Sequence, residues 1–335
     1  MKNSFWKDRK VLATGATGLV GSWLVKELNS LGAETTALIR DLSPQTELIR
    51  SGDYKSIHIV QGCLESYADI ERAITESECS VIIHLGAQAI VSIGKRSPLL
   101  TFESNIRGTY NLLEAARIHK DFVKATIVAS SDKAYGSSEI LPYLEDMPLA
   151  GTEPYEVSKS CADLICQSYF KSYGLPVAIA RCGNIYGGGD LNLNRIIPGT
   201  IKSFLADQAP IIRSDGTYIR DYIYVKDTVQ AYLTLAQFIS EGKYYGEAFN
   251  FSPERAVSVI EIVEVTTKLM NCKKIKPIIE NNAVGEIHSQ YLDSTKAREQ
   301  LNWQPRFSLE EGLTETIEWY KQFLSATKGL SKVSV

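Results

Sequence analysis

The first half of the chain alternates short apolar runs with segments whose apolar residues recur at helical spacing. "KVLATG" reads as a strand, "GLVGSWLVKELNSLG" as a helix that stops at Gly32, and "ETTALIR" as a second strand. "SIHIVQG" follows, then a helix near "YADIERAITES", the strand "SVIIHLGA" and a helix over "TFESNIRGTYNLLEAARIHK". The run "KATIVAS" is a buried strand with Ile127 and Val128 at its heart. A long helix is expected from Pro154 to about Tyr173, proline being a favoured first-turn residue, and "PVAIARCG" closes the series. Strand, helix, strand in this repetition predicts an α/β fold, a doubly wound parallel sheet covered by helices on both faces.

After about Gly183 the rhythm changes. "GNIYGGGDLNLNRIIPG" is rich in Gly and Asn and is expected as a long loop. Shorter elements follow, through "IIRSDGTYIRDYIYVKD" to a final helix, "SLEEGLTETIEWYKQFL", where Ser308 and Glu311 have capping-box spacing. The expected division is a sheet domain over 1–182 and a smaller α/β substrate domain mainly over 183–327, with segments returning to the first. A frayed tail is expected over 328–335.

A chain of 335 residues can bury a sizeable core, and 44% apolar with 22% charged residues is an ordinary globular balance. A formal net charge of -3 gives no basic excess, which argues against nucleic acid or a membrane surface as the main partner. The six cysteines form no C-x-x-C and no metal-ligand spacing with the four histidines, so neither a metal site nor a disulfide framework is expected. The N-terminus has no long apolar h-region, and no apolar run reaches the about 18 residues of a membrane span. The expectation is a soluble, cytoplasmic protein.

"TGATGLVG" places Gly15, Gly18 and Gly21 between the first strand and the first helix. That spacing gives a tight turn, a close backbone approach to a pyrophosphate and close helix-to-sheet packing, with the helix N-terminus facing the phosphates. Set at the front of a βαβ series, it predicts a dinucleotide-binding Rossmann domain. At the end of the second strand Arg40 stands where NAD binders place an acid, and Asp41 follows, so NAD and NADP both stay open.

"YEVSK" puts Tyr155 and Lys159 on one face of the long helix. An ammonium near a phenol favours the phenolate, a base able to take a proton from an alcohol while hydride leaves its carbon. At the end of the preceding strand stand Ser130, Ser131, Asp132 and Lys133, in "SSDKAYG". With "HLGAQ", "SNIRGTYNLLEAAR", "RCGNIYGGG", "RDYIYVKD" and "LDSTKAREQLNWQP", the chain resembles the extended short-chain dehydrogenase/reductase family, the sugar-nucleotide epimerases and dehydratases, over almost its whole length.

That resemblance implies a tightly bound NAD or NADP and a nucleotide-diphosphate sugar as substrate. It also implies a homodimer that pairs the helices at 101–120 and 154–173. By position it implies that Ser131 orients the sugar 4-hydroxyl, with Tyr155 the base and Lys159 its electrostatic partner. Asn184, Arg195 and Arg220 match positions that hold the diphosphate. Cofactor contacts are implied for Gly15, Thr17, Gly18, Leu19, Val20 and Gly21, for Arg40 and Asp41, and for Cys63 and Leu64. Leu85, Gly86, Ala87, Gln88, Asn105, Tyr155 and Lys159 complete that set. Cys63 is a departure, since members commonly carry Asp there as an adenine contact.

Asp132 and Lys133 form an acid and a base beside the core hydroxyl, which a 4,6-dehydratase needs for elimination across C5 and C6. Burial and a second cation such as Lys159 would favour the neutral Lys133 amine. In the Asp–Lys pair, in "GNIYGGGDLNLNRIIP" and in "HLGAQAIV" the chain is most similar to the CDP-glucose 4,6-dehydratases; "RDYIYVKD" is closer to the general family form. The implied activity is a nucleotide-diphosphate-hexose 4,6-dehydratase. A 4-epimerase or C4 oxidoreductase on the same scaffold, and a non-catalytic NAD(P)-sensing binding protein, stay open as alternatives.

Overall fold

Among the described residues six strands come first: β1 (Lys10–Thr14), β2 (Glu34–Ile39), β3 (His58–Gln61), β4 (Val81–His84), β5 (Ala125–Ala129) and β6 (Val177–Cys182). Among the described residues seven more follow: β7 (Asn184–Tyr186), β8 (Ile211–Ile212), β9 (Ile219–Tyr224), β10 (Ala248–Phe251), β11 (Ala256–Ser258), β12 (Ile278–Ile279) and β13 (Ser289–Gln290). The computed structural model describes residues 4–283 and 285–330, with side chains to Ala326.

Among the described residues the main sheet has seven strands in the order β10-β6-β5-β4-β1-β2-β3, every neighbouring pair parallel. β4 and β6 are buried along their whole length because helices cover both faces, which is why they read as continuous apolar runs rather than alternating ones. One face packs on Leu24, Leu28, Tyr232 and Leu235, the other on Ile70, Ile74, Leu112, Leu113 and Cys166. β10 and the helix Val225–Ser240 come from the second half of the chain, so the sheet is completed late in the sequence.

The second layer is a small sheet, β11-β9-β13, with β7 added parallel to β9. Its core gathers Tyr186, Ile197, Ile201, Tyr222, Tyr224, Leu313, Ile317 and Tyr320. Here the structure corrects the expected long loop. Asn184–Tyr186 is a strand because Tyr222–Tyr224 arrives to pair with it, and a helix starts at Ile196. Gly187 and Gly188 stay side-chain-free because a Cβ on either would run into Val225 or Trp319.

The helix expected over 101–120 is also broken. Pro98–Phe102 is α-helical, Glu103–Arg107 forms a π-turn, and the α-helix resumes over Gly108–Ile118. Such turns gather at functional sites, and this one carries Asn105. The helix Pro154–Tyr173 begins and ends as expected. The final helix runs Leu309–Leu330, past the expected end, and Ser308 and Glu311 make both capping-box bonds. Of the expected frayed tail, 328–330 are helical and 331–335 lie outside the described residues.

Candidate active site

The carboxyl ends of β1, β4, β5 and β6 converge on one crevice, at the point where strand order reverses between β1 and β4. Gly15 has φ +71, and a Cβ on it would lie 2.7 Å from the Gly86 nitrogen, so the β1 and β4 loops touch backbone to backbone. A Cβ on Gly21 would collide with the Gly15 carbonyl oxygen, which instead accepts the Gly18 N–H at 3.0 Å. The helix Leu19–Ser30 starts at Gly18 with no side-chain cap, leaving its first N–H groups to a ligand. Thr17, Leu19 and Val20 are half-buried at this mouth. The donor set and the bare backbone fit a dinucleotide pyrophosphate.

Around this cradle the remaining cofactor candidates are held by side-chain bonds that join separate loops. Asn105 accepts from the Gln88 N–H at 2.7 Å and donates to the Gln88 carbonyl and to Ser158 Oγ. Leu64 packs against Gly86 and Gly108, and Asn111 donates to its carbonyl. Leu85 donates its N–H to the Thr14 carbonyl, and Ala87 is half-buried beside it. Cys63 donates its N–H to Asp69 Oδ2 at 3.1 Å, so a carboxylate stands next to position 63 although the residue there is Cys. Arg40 is exposed and its Nε donates to Asp41 at 2.7 Å.

Thr14 and His84 lie beneath the cradle. Thr109 Oγ1 gives its proton to the Asn105 carbonyl, so it accepts from His84 Nε2, and His84 Nδ1 then accepts from Thr14 Oγ1 at 2.7 Å. Burial first, then the nearby Lys159 charge, push His84 down to about 3, so it is a neutral connector.

One residue after β5, Ser131 caps a short 3₁₀ turn that begins with Asp132 and Lys133. Ser131 Oγ donates to Asp132 Oδ1 at 2.9 Å and accepts the Lys133 N–H, while the buried Asp132 Oδ2 has no protein partner. Tyr155 and Lys159 reach the same place from the helix Pro154–Tyr173. Lys159 Nζ donates to the Ala129 carbonyl at 2.7 Å and lies 6.0 Å from the Tyr155 ring centroid.

Two expectations are corrected here. Lys159 was expected to lower the Tyr155 phenol, but burial and then Asp132 push it up to about 12, with Ser131 and Arg195 opposing. In this state the ammonium serves Ala129 instead, and its own burial brings it down to about 8. Lys133 is lowered as expected, by burial first, but the second cation bearing on it is Arg220 and not Lys159.

Asn184, Arg195 and Arg220 gather around the small sheet. Asn184 pairs with Tyr222. Arg195 donates to Asp190 Oδ2 and to the Ile185 carbonyl, both at 2.8 Å. Arg220 donates to the carbonyls of Ile219, His288 and Ile287. Each guanidinium is thus pre-placed by the protein.

Sequence reasoning missed Gln290. It donates Nε2 to the Asp132 carbonyl at 3.1 Å and accepts from Lys133 Nζ, across 157 positions of chain. A lone Gln in a two-residue strand carries no local signal. Asp221 was also passed over. It is buried beside Asp132, accepts the Leu292 N–H at 3.1 Å, and is pushed up to about 7 by burial and then by Asp132.

The family model described as GDP-mannose 4,6 dehydratase matches residues 12–316. A CDP-glucose 4,6-dehydratase of Salmonella typhimurium is 32% identical, over 96% of this chain and 93% of its own. A UDP-glucose 4-epimerase from Thermotoga maritima, solved with UDP-glucose, superposes with a TM-score of 0.86 at 28% identity, covering 94% of this chain and 99% of that one. A dTDP-glucose 4,6-dehydratase from Bacillus anthracis, solved with NAD, gives 0.82 at 25%, covering 94% and 97%. With its glycine cradle, its Ser–Tyr–Lys cluster and a family match along nearly its whole length, the chain belongs to the GDP-mannose 4,6 dehydratase family, Rossmann-fold NAD(P)-binding enzymes of the sugar-nucleotide dehydratase and epimerase superfamily.

Proposed function

We propose that this enzyme is a nucleotide-diphosphate-hexose 4,6-dehydratase that keeps its NAD or NADP bound through the cycle. The Gly15–Gly18–Gly21 cradle would hold the dinucleotide, which would supply a hydride acceptor for C4 and a hydride donor for C6. Ser131 orients the sugar 4-hydroxyl and Tyr155, once ionised to the phenolate, takes its proton, with Lys159 holding positive charge nearby. The resulting ketone acidifies the C5 hydrogen. Neutral Lys133 takes that proton, and Asp132, in its protonated form at this step, delivers one from Oδ2 to the departing 6-hydroxyl, which leaves as water. A proton then returns to C5, giving a 4-keto-6-deoxy sugar. Asn184, Arg195 and Arg220 hold the diphosphate.

The observation that carries this reading is the Asp132–Lys133 pair itself. One buried carboxylate oxygen has no protein partner, and the half-buried lysine beside it is bonded to Gln290. Simple oxidation and re-reduction at C4 needs neither group. The similarity to the Salmonella CDP-glucose 4,6-dehydratase supports the same assignment and makes CDP-hexoses the first substrates to try.

A 4-epimerase is the second reading, favoured by the structural likeness to the Thermotoga enzyme. CDP-, GDP-, UDP- and dTDP-hexoses offered in deuterated buffer separate the two. Loss of water with deuterium at C5 supports the dehydratase; an isomer of unchanged mass with no C5 label overturns it. The dinucleotide released on denaturation tells whether Arg40 faces a 2′-phosphate.

We also propose a homodimer through the helices Gly108–Ile118 and Pro154–Tyr173. Leu99, Tyr110, Ile118 and Leu164 stand exposed on or beside them, apolar side chains that a second copy would cover.

A further inference from the structure

The last strand of the small sheet reaches into the catalytic turn by a single side chain. Gln290 is 0% exposed, and its amide uses both poles. A carbonyl oxygen only accepts, so Nε2 must face Asp132 O; an ammonium only donates, so Oε1 must face Lys133 Nζ. The amide therefore has one orientation, and a half-turn would oppose donor to donor and acceptor to acceptor at once.

β13 is itself anchored. Gln290 registers with Arg220 on β9, and the Arg220 guanidinium clasps the carbonyls of Ile287 and His288 just before it. Just after it, the Leu292 N–H is held by the buried Asp221. Gln290 thus stands on a strand pinned at both ends, and its partner is the flexible four-carbon chain of a lysine.

We propose that Gln290 is a positioning residue for the elimination step, fixing the Lys133 amine against Asp132 and, through the Arg220 clasp, in register with the diphosphate end of the substrate. The proposal rests on the dehydratase reading for its chemistry, though not for its geometry. Nothing in the reaction as derived above requires a glutamine, and Gln290 touches neither sugar nor cofactor in it.

An amide oxygen stabilises an ammonium more than an amine, because the bond to the charged form is charge-assisted. Gln290 therefore works against the burial that drives Lys133 toward its neutral form. The other groups facing Lys133 come from four places. Asp132 in the same turn, Glu156 from the long helix and Glu286 ahead of β13 favour the cation, and Arg220 from β9 disfavours it. Tyr143 lies near as well, and burial pushes it up to about 12, so it stays a neutral phenol.

The test uses the holoenzyme with two substitutions, Gln290→Met and Gln290→Glu. Methionine keeps the volume and loses both polar partners; glutamate adds a carboxylate against the amine. Trace acetylation with acetic anhydride across pH, read by mass on the Lys133 peptide, gives the Lys133 titration midpoint without reference to any reaction. Gln290→Glu should move the midpoint up by about a unit or more and Gln290→Met should move it down, each unit changing the neutral fraction tenfold. C5 exchange in deuterated buffer should follow the same displacement in its pH profile. In Gln290→Met its plateau should also fall about 10²-fold from lost orientation, while hydride transfer at C4 stays within about threefold.

Midpoints that stay with wild type in both variants overturn the positioning role, whatever product the enzyme makes. So does a midpoint that moves while C5 exchange keeps its wild-type profile and plateau. If the midpoints move but wild type exchanges no C5 hydrogen on any hexose nucleotide, the hold on Lys133 stands and the dehydratase reading is the one that fails.

Discussion

Lys159→Met is expected to abolish oxidation while leaving the fold as stable or more stable. Lys159 is 6% exposed, its Nζ donates to the Ala129 carbonyl at 2.7 Å, and burial brings it from an ordinary 10.5 to about 8. A folded-state value below the unfolded one means that between about pH 8 and 10.5 the unfolded chain binds the extra proton. Stability therefore rises with pH across that window, and below about pH 8 the full cost of the buried cation applies. The gap corresponds to roughly 3 kcal/mol. Methionine removes that cost but leaves the Ala129 carbonyl without its donor, at about 1–3 kcal/mol. The net expectation at pH 7 is a variant between equal to wild type and about 2 kcal/mol more stable.

Urea unfolding of both proteins, stripped of dinucleotide, at pH 7 and pH 10 measures this. Wild type should gain on the variant by about 2 kcal/mol between the two pH values, because it alone loses the buried charge. C4 oxidation in Lys159→Met should fall about 10²-fold or more. A variant more than about 1 kcal/mol less stable at pH 7, or a difference independent of pH, would refute the claim that Lys159 is held as a costly buried cation.

Tyr155→Phe should lose C4 oxidation by about 10²–10⁴-fold with an unchanged unfolding midpoint; activity within about threefold of wild type would mean another base operates. Asp132→Asn should still exchange the C5 hydrogen but not expel the 6-hydroxyl, since an amide has no proton to deliver; full water loss, read by product mass, would remove Asp132 as the acid. Gly21→Ala puts a methyl into the Gly15 carbonyl oxygen, and should abolish dinucleotide retention, checked by ion exchange of the denatured supernatant. A variant that still releases stoichiometric dinucleotide would mean the cradle has room that the backbone contacts deny.

The elements of the first sheet were legible because each declares itself locally. Apolar runs such as Val81–His84 read as buried strands, Pro154 and Gly174 bracket a helix between them, and Gly15 and Gly21 sit where a Cβ would strike backbone. Ser131, Tyr155 and Lys159 were legible for the same reason, standing one after a strand and two on one helix face. What failed were features whose cause lies far along the chain. Asn184–Tyr186 is a strand only because β9 arrives beside it, and the helix at 103–107 opens into a π-turn that carries Asn105 to Gln88 and Ser158. The charge states were decided the same way. Burial, which no spacing encodes, outweighs the Tyr155–Lys159 proximity, and Arg220 rather than Lys159 bears on Lys133. Gln290 is the clearest case, since its bonds to Asp132 and Lys133 exist only once the small sheet has docked on the large one. Local sterics and periodicity can be written in a dozen residues; desolvation and long-range pairing are properties of the packed whole.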